Sequence, residues 1–518
     1  SKSWPRFLMF DDSFAAQLSK WNKNNSLKTL GFNRGVERET LRVTTNGSLS
    51  KLPHPSGLGS PLTNSYITTD FAESLIELVT PKFGSVDSLY SCLEDLHVFT
   101  AHNIDKNECL WAYSMPCKIT DEADINIAEY GSNDSGMLKH IYRKGLKVRY
   151  GSIMQCVSGI HYNFSIDDKS YVALFGENYS QAMVDSLYLG LIRNFKRNFW
   201  FILNQLGASP VADKTYVAGR NHHLKELGKE DVFLENATSL RMSNIGYQSP
   251  IQSSLGIRYN TLNGFINSVK RGIKTPYKNF TNLGLYDDKG ERQQISDGII
   301  QIENELYDTI RPKRTSKIGQ RPANSLNDHG IEYVEIRGVD VNPDDLVGIS
   351  KNQMHLLDLF LIHCFVNHSP ELTNEENEKL QKNHTDMVAS GQNNSTMIFY
   401  KNTMMKTGDA LTELVNELSL LAKSLDADDE IYSNALKNII NDEHKSSALL
   451  KKIDQDSSFH EVALAKSIQN TKELRQNNRL DLDYLNAERE RSLKEFEEIE
   501  SSPNKDIEAY VKKYNSQI

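Results

Sequence analysis

Between Gly31 and Val43 the chain alternates with a period of two, Val36, Arg38, Thr40 and Arg42 on one side and Glu37, Glu39, Leu41 and Val43 on the other. That period predicts a β-strand and puts both glutamates on one face, about 7 Å apart. The alternation returns along Leu75 to Thr80, where Glu77 becomes a second-strand acid. Just upstream, Asp70 and Glu73 also have the spacing of a helix-capping pair. In the next such strand Cys156, Ile160, Tyr162, Phe164 and Ile166 oppose Ser158, His161, Asn163 and Ser165. Two later stretches alternate as well: Ile299–Tyr307, with Gln301, Glu303 and Glu305, and Gly330–Val341, where Tyr333, Glu335 and Arg337 share a face.

Helical spacing fills much of the remainder. Residues 11–30 predict an amphipathic helix ending near Asn24-Asn25, residues 83–106 a helix with Leu89, Leu93, Leu96 and Phe99 on one face, and residues 182–205 a buried helix stopped by Ala208-Ser209-Pro210. Asn46-Gly47 predicts a hairpin turn, Pro53–Pro61 a loop, and the polar run Asp121–Ser135 an exposed loop or lid. Beyond Val366 only Gly391, Gly408, Pro370 and Pro503 interrupt a helical pattern, and Leu482, Leu485, Arg489, Leu493, Phe496 and Ile499 trace one helix face. This predicts a helical C-terminal region over 366–518 after an α+β region over 1–365. No internal repeat is present.

With 518 residues, 38% of them hydrophobic and 25% charged, the chain can bury a large core. A net charge of -9 and a pI near 5.9 argue against nucleic acid, and no Lys/Arg-rich run suits an anionic membrane surface. Small molecules are the expected partners. The five cysteines, an odd count without a Cys-x-x-Cys pair, fit free thiols in a reducing cytosol. Phe7-Leu8-Met9-Phe10 is too short for the core of a signal peptide. No stretch has the roughly 18 apolar residues of a membrane helix; Leu357–Val366 comes nearest and carries Asp358 and His363.

The candidate chemistry is carboxylate chemistry. Glu37 and Glu39 want a shared cation, or else they form a solvated face paired with Arg34, Arg38 or Arg42. Arg241 and Tyr247 offer a cation and a phenol to a substrate carboxylate, and the run Arg311-Pro-Lys-Arg314 suits phosphates or a solvated loop. There is no Gly-x-x-x-x-Gly-Lys-Ser/Thr, no Gly-x-Gly-x-x-Gly after a strand and no His-Glu-x-x-His. Acids on several strands that hold Mg²⁺, which in turn holds phosphates, can replace a glycine loop.

Gly35–Val43, Ile67–Glu77, Ser114–Cys117, Tyr142–Lys147, Gly159–Phe164, Gln301–Tyr307, Ile310–Arg314 and Gly330–Arg337 together resemble, in order, the motifs of the bacterial, proteobacterial-type glutamate-cysteine ligases. The resemblance runs from about residue 31 to residue 345 and weakens in the Asn- and Lys-rich tail. It implies an α+β fold: an antiparallel β-sheet catalytic core of glutamine-synthetase-like type, with surrounding helices and the C-terminal helices packed on the same core. It also implies the first step of glutathione synthesis. ATP phosphorylates the side-chain carboxylate of glutamate, and the amine of cysteine displaces the phosphate. By the same resemblance Glu37, Glu39, Glu77, His161 and Glu335 hold Mg²⁺ (or Mn²⁺), with Asp70 nearby. Arg337 and Glu335 are the catalytic groups, Arg337 at the transferring phosphoryl. Arg241 and Arg143 bind substrate, Phe71, Tyr142 and Tyr247 line the cysteine pocket, and Asn304, Tyr307, Arg311 and Arg337 meet the nucleotide. A cytoplasmic monomer, with glutathione as feedback inhibitor, is the accompanying expectation. The rival readings are a ligase for another amine, a metal-dependent phosphotransferase, and an ATP- or glutamate-sensing protein without turnover.

Overall fold

The structure is a computed structural model that describes residues 13–24, 27–246, 250–453, 456–478, 481–503 and 505–518. Phe7–Phe10 and Tyr247 fall outside that range. The alternating stretches become strands: β1 (Phe32–Thr44), β2 (Ile67–Thr69), β3 (Leu75–Val79), β4 (Glu108–Leu110) and β5 (Gly159–Ile166). A small sheet follows, from β6 (Val211–Asp213), β7 (Lys225–Leu227) and β8 (Asp231–Phe233), and then β9 (Ile310–Lys313) and β10 (Tyr333–Asp340) return to the main sheet. That sheet has seven strands in the order β2-β3-β1-β5-β10-β9, with β4 paired to β1, and every pairing is antiparallel.

The two faces of β1 do different work. Arg34, Arg38 and Arg42 alternate with the glutamates and find partners of their own: Arg34 pairs with Asp358 (2.8 Å), Arg38 Nη1 donates to His97 Nε2 (2.6 Å), and Arg42 pairs with Glu108 (2.9 Å). The alternative in which these arginines neutralise Glu37 and Glu39 is therefore excluded. Behind the sheet lie the helices Val86–Asn103, Gln181–Leu206 and Lys351–Val366, the last almost wholly buried. Gly338 lets the helix approach: a Cβ there would come within 2.4 Å of the Phe199 ring. The register of β10 on β5 shifts between Ile336 and Val339, a bulge that re-aims the strand beside Arg337.

The predicted helix of residues 11–30 is Phe14–Asn24, and the Asn46-Gly47 turn forms, with Gly47 at φ 98° and a Val43–Leu49 bridge. Three expectations are corrected. Ile299–Tyr307 is no strand but a bent segment with one 3₁₀ turn, Glu303–Glu305. Both glutamates are buried there, Glu303 on Arg321 and Glu305 on Arg149, and these inward ion pairs override the alternation. The polar run 121–135 is no free lid. Ile125, Ala128 and Tyr130 are buried, and Asn133 caps the helix Asp134–Tyr150 by accepting from Gly136 N at 2.8 Å. The C-terminal region is not purely helical either, for it contains the hairpin β11 (Met397–Tyr400) and β12 (Thr403–Lys406), turned by Lys401 and Asn402 at φ 48° and 63°.

The helices after residue 366 spread over the core instead of standing apart from it. Thr407–Leu425 and Ile431–Asn441 pack on Lys351–Val366, Phe459–Gln476 on Val86–Asn103 and β4, and Ile507–Asn515 on Asp134–Tyr150. One apolar cluster accordingly runs from Phe14 to Leu436.

Candidate active site

On the face of β1 away from the arginines opens a cavity of about 800 Å³. Strand register brings its acids together. Glu37 stands opposite His161 on β5, Glu39 opposite Glu77 on β3, and Glu335 reaches the same face from β10, the next strand beyond β5. His161 Nδ1 lies 3.0 Å from Glu37 Oε2 and 3.7 Å from Glu335 Oε1, while its Nε2 lies 3.7 Å from Glu39 Oε1. Asn163 Nδ2 donates to the other oxygen of Glu37 (3.2 Å), and Gly159 N to Glu39 (2.8 Å). Asp70 and Phe71 enter from the turn between β2 and β3.

The electrostatics divide this cluster in two. Burial opposes ionisation of Glu335, yet Lys313 (3.1 Å) and Arg337 (2.6 Å) hold its carboxyl well below the usual range. Burial opposes ionisation of Glu37 too, and its bond with His161, together with the charges of His161 and Lys313, more than offsets that. For Glu39 and Glu77 the balance goes the other way. Burial, and then the charge of Asp70, push Glu39 up to about 7; burial and the charges of Glu37, Asp70 and Glu39 push Glu77 well above the ordinary value. Among the described residues no three acidic, imidazole or thiol groups are already arranged as a cage for a metal ion. The donor set nevertheless fits a hard divalent cation: oxygen ligands in excess, with carboxylates whose mutual repulsion a cation would relieve.

Two arginines flank the acids. Arg241 is buried; its Nε donates to Asp340 (2.9 Å) and its Nη2 to the carbonyls of Val339 (2.8 Å) and Arg337 (3.2 Å). Gly159 makes room for it, since a Cβ would come within 2.7 Å of Nη1. Arg337 Nη1 donates to Glu335, and both arginines line the cavity. Asp134–Tyr150 forms another wall with Lys139, Tyr142 and Arg143, the last donating to the Asp70 carbonyl (2.6 Å) over the Tyr130 ring. Burial and the neighbouring Arg143 pull Lys139 down to about 8.

Asn304 and Tyr307 also line the cavity, whereas Arg311 does not. Its buried guanidinium donates to the carbonyls of Asn304 (3.1 Å) and Leu306, so it braces that segment. Sequence reasoning missed Lys139, although it lies one helical turn before Arg143, and Lys313, which stood unremarked inside the basic run. It also missed Tyr510 and Tyr514 of the helix Ile507–Asn515, which close one side of the cavity; their spacing of four marks a helix face but not what that face covers. A second cavity of about 800 Å³ meets the first at Glu37 and is lined by Asn33, Asn163, Ser165, Arg314 and Tyr333.

The family model for glutamate-cysteine ligase matches residues 16–387. The glutamate–cysteine ligase of Pseudomonas putida is 42% identical over 415 residues, covering 78% of this chain and 79% of the relative. That of Saccharophagus degradans is 38% identical over 483 residues, covering 88% and 91%. In structure, the chain superposes on the Francisella tularensis glutamate–cysteine ligase in complex with AMP with a TM-score of 0.89 and 32% identity, over 95% of this chain and 99% of that one. A bifunctional glutathione synthetase from Pasteurella multocida shares the fold at a TM-score of 0.68 and 23% identity, over 88% of this chain and 55% of its own.

Proposed function

The chain belongs to the glutamate-cysteine ligase family, and on that premise we propose that the acid-lined cavity is where it joins the γ-carboxylate of glutamate to the amine of cysteine. The reaction consumes ATP, forms γ-glutamyl phosphate on the way, and yields γ-glutamylcysteine, ADP and phosphate as the first step of glutathione biosynthesis. The observation that carries the site is the cluster Glu37, Glu39, Glu77, Asp70 and His161 with Arg241 and Arg337 at its edge.

A carboxylate is a poor electrophile, and the phosphates of ATP repel it. Mg²⁺, with Mn²⁺ as a substitute, would be held by Glu37, Glu39, Glu77, His161 and Glu335 with Asp70 nearby, and would neutralise charge on both reactants. The side chains do the rest. Arg241 is fixed by Asp340 and two carbonyls, and so offers a pre-oriented guanidinium to the glutamate. Arg337, held by Glu335, faces the transferring phosphoryl group and stabilises charge as it spreads over the phosphoryl oxygens. The second cavity, which adjoins the acids at Glu37, takes the nucleotide, so that ATP and glutamate approach the cluster from opposite sides. Asn304 and Tyr307 then border the substrate cavity instead. Phe71, Tyr142, Tyr247 and Arg143 form the cysteine end, where phenols fix the carboxylate without adding charge near the phosphates.

The sheet is read as the glutamine-synthetase-like core, with residues 1–365 as the catalytic region and 366–518 packed on it. A cytoplasmic monomer under glutathione feedback completes the reading; no helix among the described residues is long and apolar enough to cross a membrane. The test is phosphate release from ATP with glutamate, with and without cysteine. Release that requires glutamate and rises with cysteine, with γ-glutamylcysteine as product, supports the reading. ADP formed without inorganic phosphate refutes it.

A further inference from the structure

Behind the Tyr307 segment lies a cavity of about 500 Å³, which shares Gln252 and Tyr307 with the substrate cavity. Gln252 holds the segment from that side: its Nε2 donates to Glu305 O (2.7 Å), and its Oε1 accepts from Tyr307 N. His384, on the helix Asn374–Ser390, meets the same segment. Its Nε2 is 2.8 Å from the Met242 carbonyl and 3.2 Å from the Tyr307 hydroxyl. A carbonyl can only accept, so Nε2 carries the proton and the phenol oxygen takes a second branch of the same donor. Burial, foremost, lowers the pKa of this imidazole and keeps it neutral at pH 7.

The contacts of His384 reach three parts of the site. Met242 follows Arg241 in one 3₁₀ turn, Leu240–Met242, so the carbonyl contact steadies the turn that carries the glutamate-facing arginine. Tyr307 is a wall of the substrate cavity. The imidazole also stacks on Phe199 (centroids 5.7 Å, planes 15° apart), the ring that presses on Gly338 next to Arg337.

We propose that His384 is a positioning residue for the amine acceptor: through Nε2 it pins the Tyr307 hydroxyl, and with it the ring that borders the cysteine end of the cavity. This rests on the reading of the acid-lined cavity as the substrate site, and adds to it that Tyr307, which lines that cavity, stands at its cysteine end. Without the donor the hydroxyl loses this anchor, and the wall it gives the acceptor pocket is less firmly placed beside the cavity behind.

Three variants test it in the full chain. His384→Phe keeps the stack on Phe199 and removes the donor, His384→Gln restores an N–H at the reach of Nε2, and Tyr307→Phe removes the hydroxyl. The expected result is a KM for cysteine raised about fivefold in His384→Phe, the size of one hydrogen bond. The KM values for glutamate and ATP should stay within about twofold, near-wild-type kinetics should return in His384→Gln, and the double variant should be no worse than Tyr307→Phe alone. Unchanged kinetics in His384→Phe beside an impaired Tyr307→Phe would overturn the proposal, as would independent, multiplying effects. A Tm lowered equally in both His384 variants, without rescue by Gln, would assign the residue to structure alone. If Tyr307→Phe itself leaves cysteine kinetics unchanged, the placement of Tyr307 fails and the proposal falls with it.

Discussion

Asp340 is the residue on which the arginine side of the site hangs, and Asp340→Asn is the sharpest test of that geometry. Its Oδ1 accepts from Arg241 Nε (2.9 Å) and the Ser239 hydroxyl (2.9 Å), and its Oδ2 from Ala208 N (2.8 Å) and the Ser209 hydroxyl (2.7 Å). All of this is buried, with Asp340 at 2% and Arg241 at 2% exposure. An asparagine is isosteric but has one oxygen. Turned one way, its NH₂ meets the Arg241 N–H; turned the other way, it meets the Ala208 N–H. The serine hydroxyls can rotate to accept, but the two N–H groups cannot, so one of them is orphaned whichever way the amide turns. That costs about 1–3 kcal/mol. Arg241 also loses its buried counter-charge, and removal of one partner of a buried pair costs about 3–5 kcal/mol in all. Urea unfolding should therefore show a lower midpoint at unchanged slope, and the folded fraction at low urea should show a raised KM for glutamate. A stability within about 1 kcal/mol of wild type, with the glutamate KM unaltered, would mean that Asp340 does not organise Arg241 and that the substrate clamp is held some other way.

Glu37→Gln and Glu39→Gln should each lower kcat at saturating Mg²⁺ by about a hundredfold or more, as expected when a metal site loses a carboxylate, while near-UV circular dichroism stays native. Near-normal turnover in both would remove the metal assignment. Arg337→Lys should lower kcat far more than it changes the KM for glutamate, because a lysine cannot reproduce the two-pronged guanidinium; the reverse pattern would make Arg337 a substrate clamp. Tyr142→Phe and Tyr247→Phe should raise the KM for cysteine, Tyr247→Phe by about tenfold, the cost of one hydrogen bond to a charged group, while 2-aminobutyrate replaces cysteine as acceptor. Unaltered cysteine kinetics in both variants would move the acceptor site elsewhere.

How much of this was legible in the chain depends on the range of the interaction involved. The face on which Glu37, Glu39, Glu77, His161 and Glu335 stand follows from local alternation, which is fixed by backbone geometry. That β1 lies between β3 and β5, and β5 between β1 and β10, is set by pairings between residues far apart in the chain, those made by β5 more than a hundred residues apart, and on these alternation is silent. The failure at Glu303 and Glu305 has the same origin. Their period of two is real, but Arg321 and Arg149 turn both carboxylates inward, and among the described residues no strand pairs with the segment. That Arg311 braces the carbonyls of Asn304 and Leu306 was not legible, because a basic run says nothing about which carbonyls lie beside each cation. The Met397–Lys406 hairpin could have been found, since Lys401-Asn402 between two short apolar runs is a turn signal that the surrounding helical composition obscured.

The separation of charge across β1 explains why the acids are a site and not a structural network. A strand with three arginines and two glutamates could neutralise itself if its charges shared a face. Alternation forbids that, and the back of the sheet supplies Asp358, His97 and Glu108 for Arg34, Arg38 and Arg42. With the arginines of β1 engaged there, none of them offsets the carboxylates of the front. Lys313 and Arg337 meet Glu335, and His161 meets Glu37. Glu39 and Glu77 stand face to face across β1 and β3, and both are pushed up, Glu39 by burial and the charge of Asp70, Glu77 by burial and the charges of Glu37, Asp70 and Glu39. A fold selected for stability alone has no reason to keep such a half-buried pair with both pKa values raised, since replacing it with apolar residues would cost less. The imbalance makes sense as half of an arrangement whose other half arrives with the substrates, and that expectation can be measured. If it holds, Glu77→Gln should raise the Tm of the metal-free protein while lowering turnover; a variant that loses both stability and turnover would show Glu77 to be a structural residue after all.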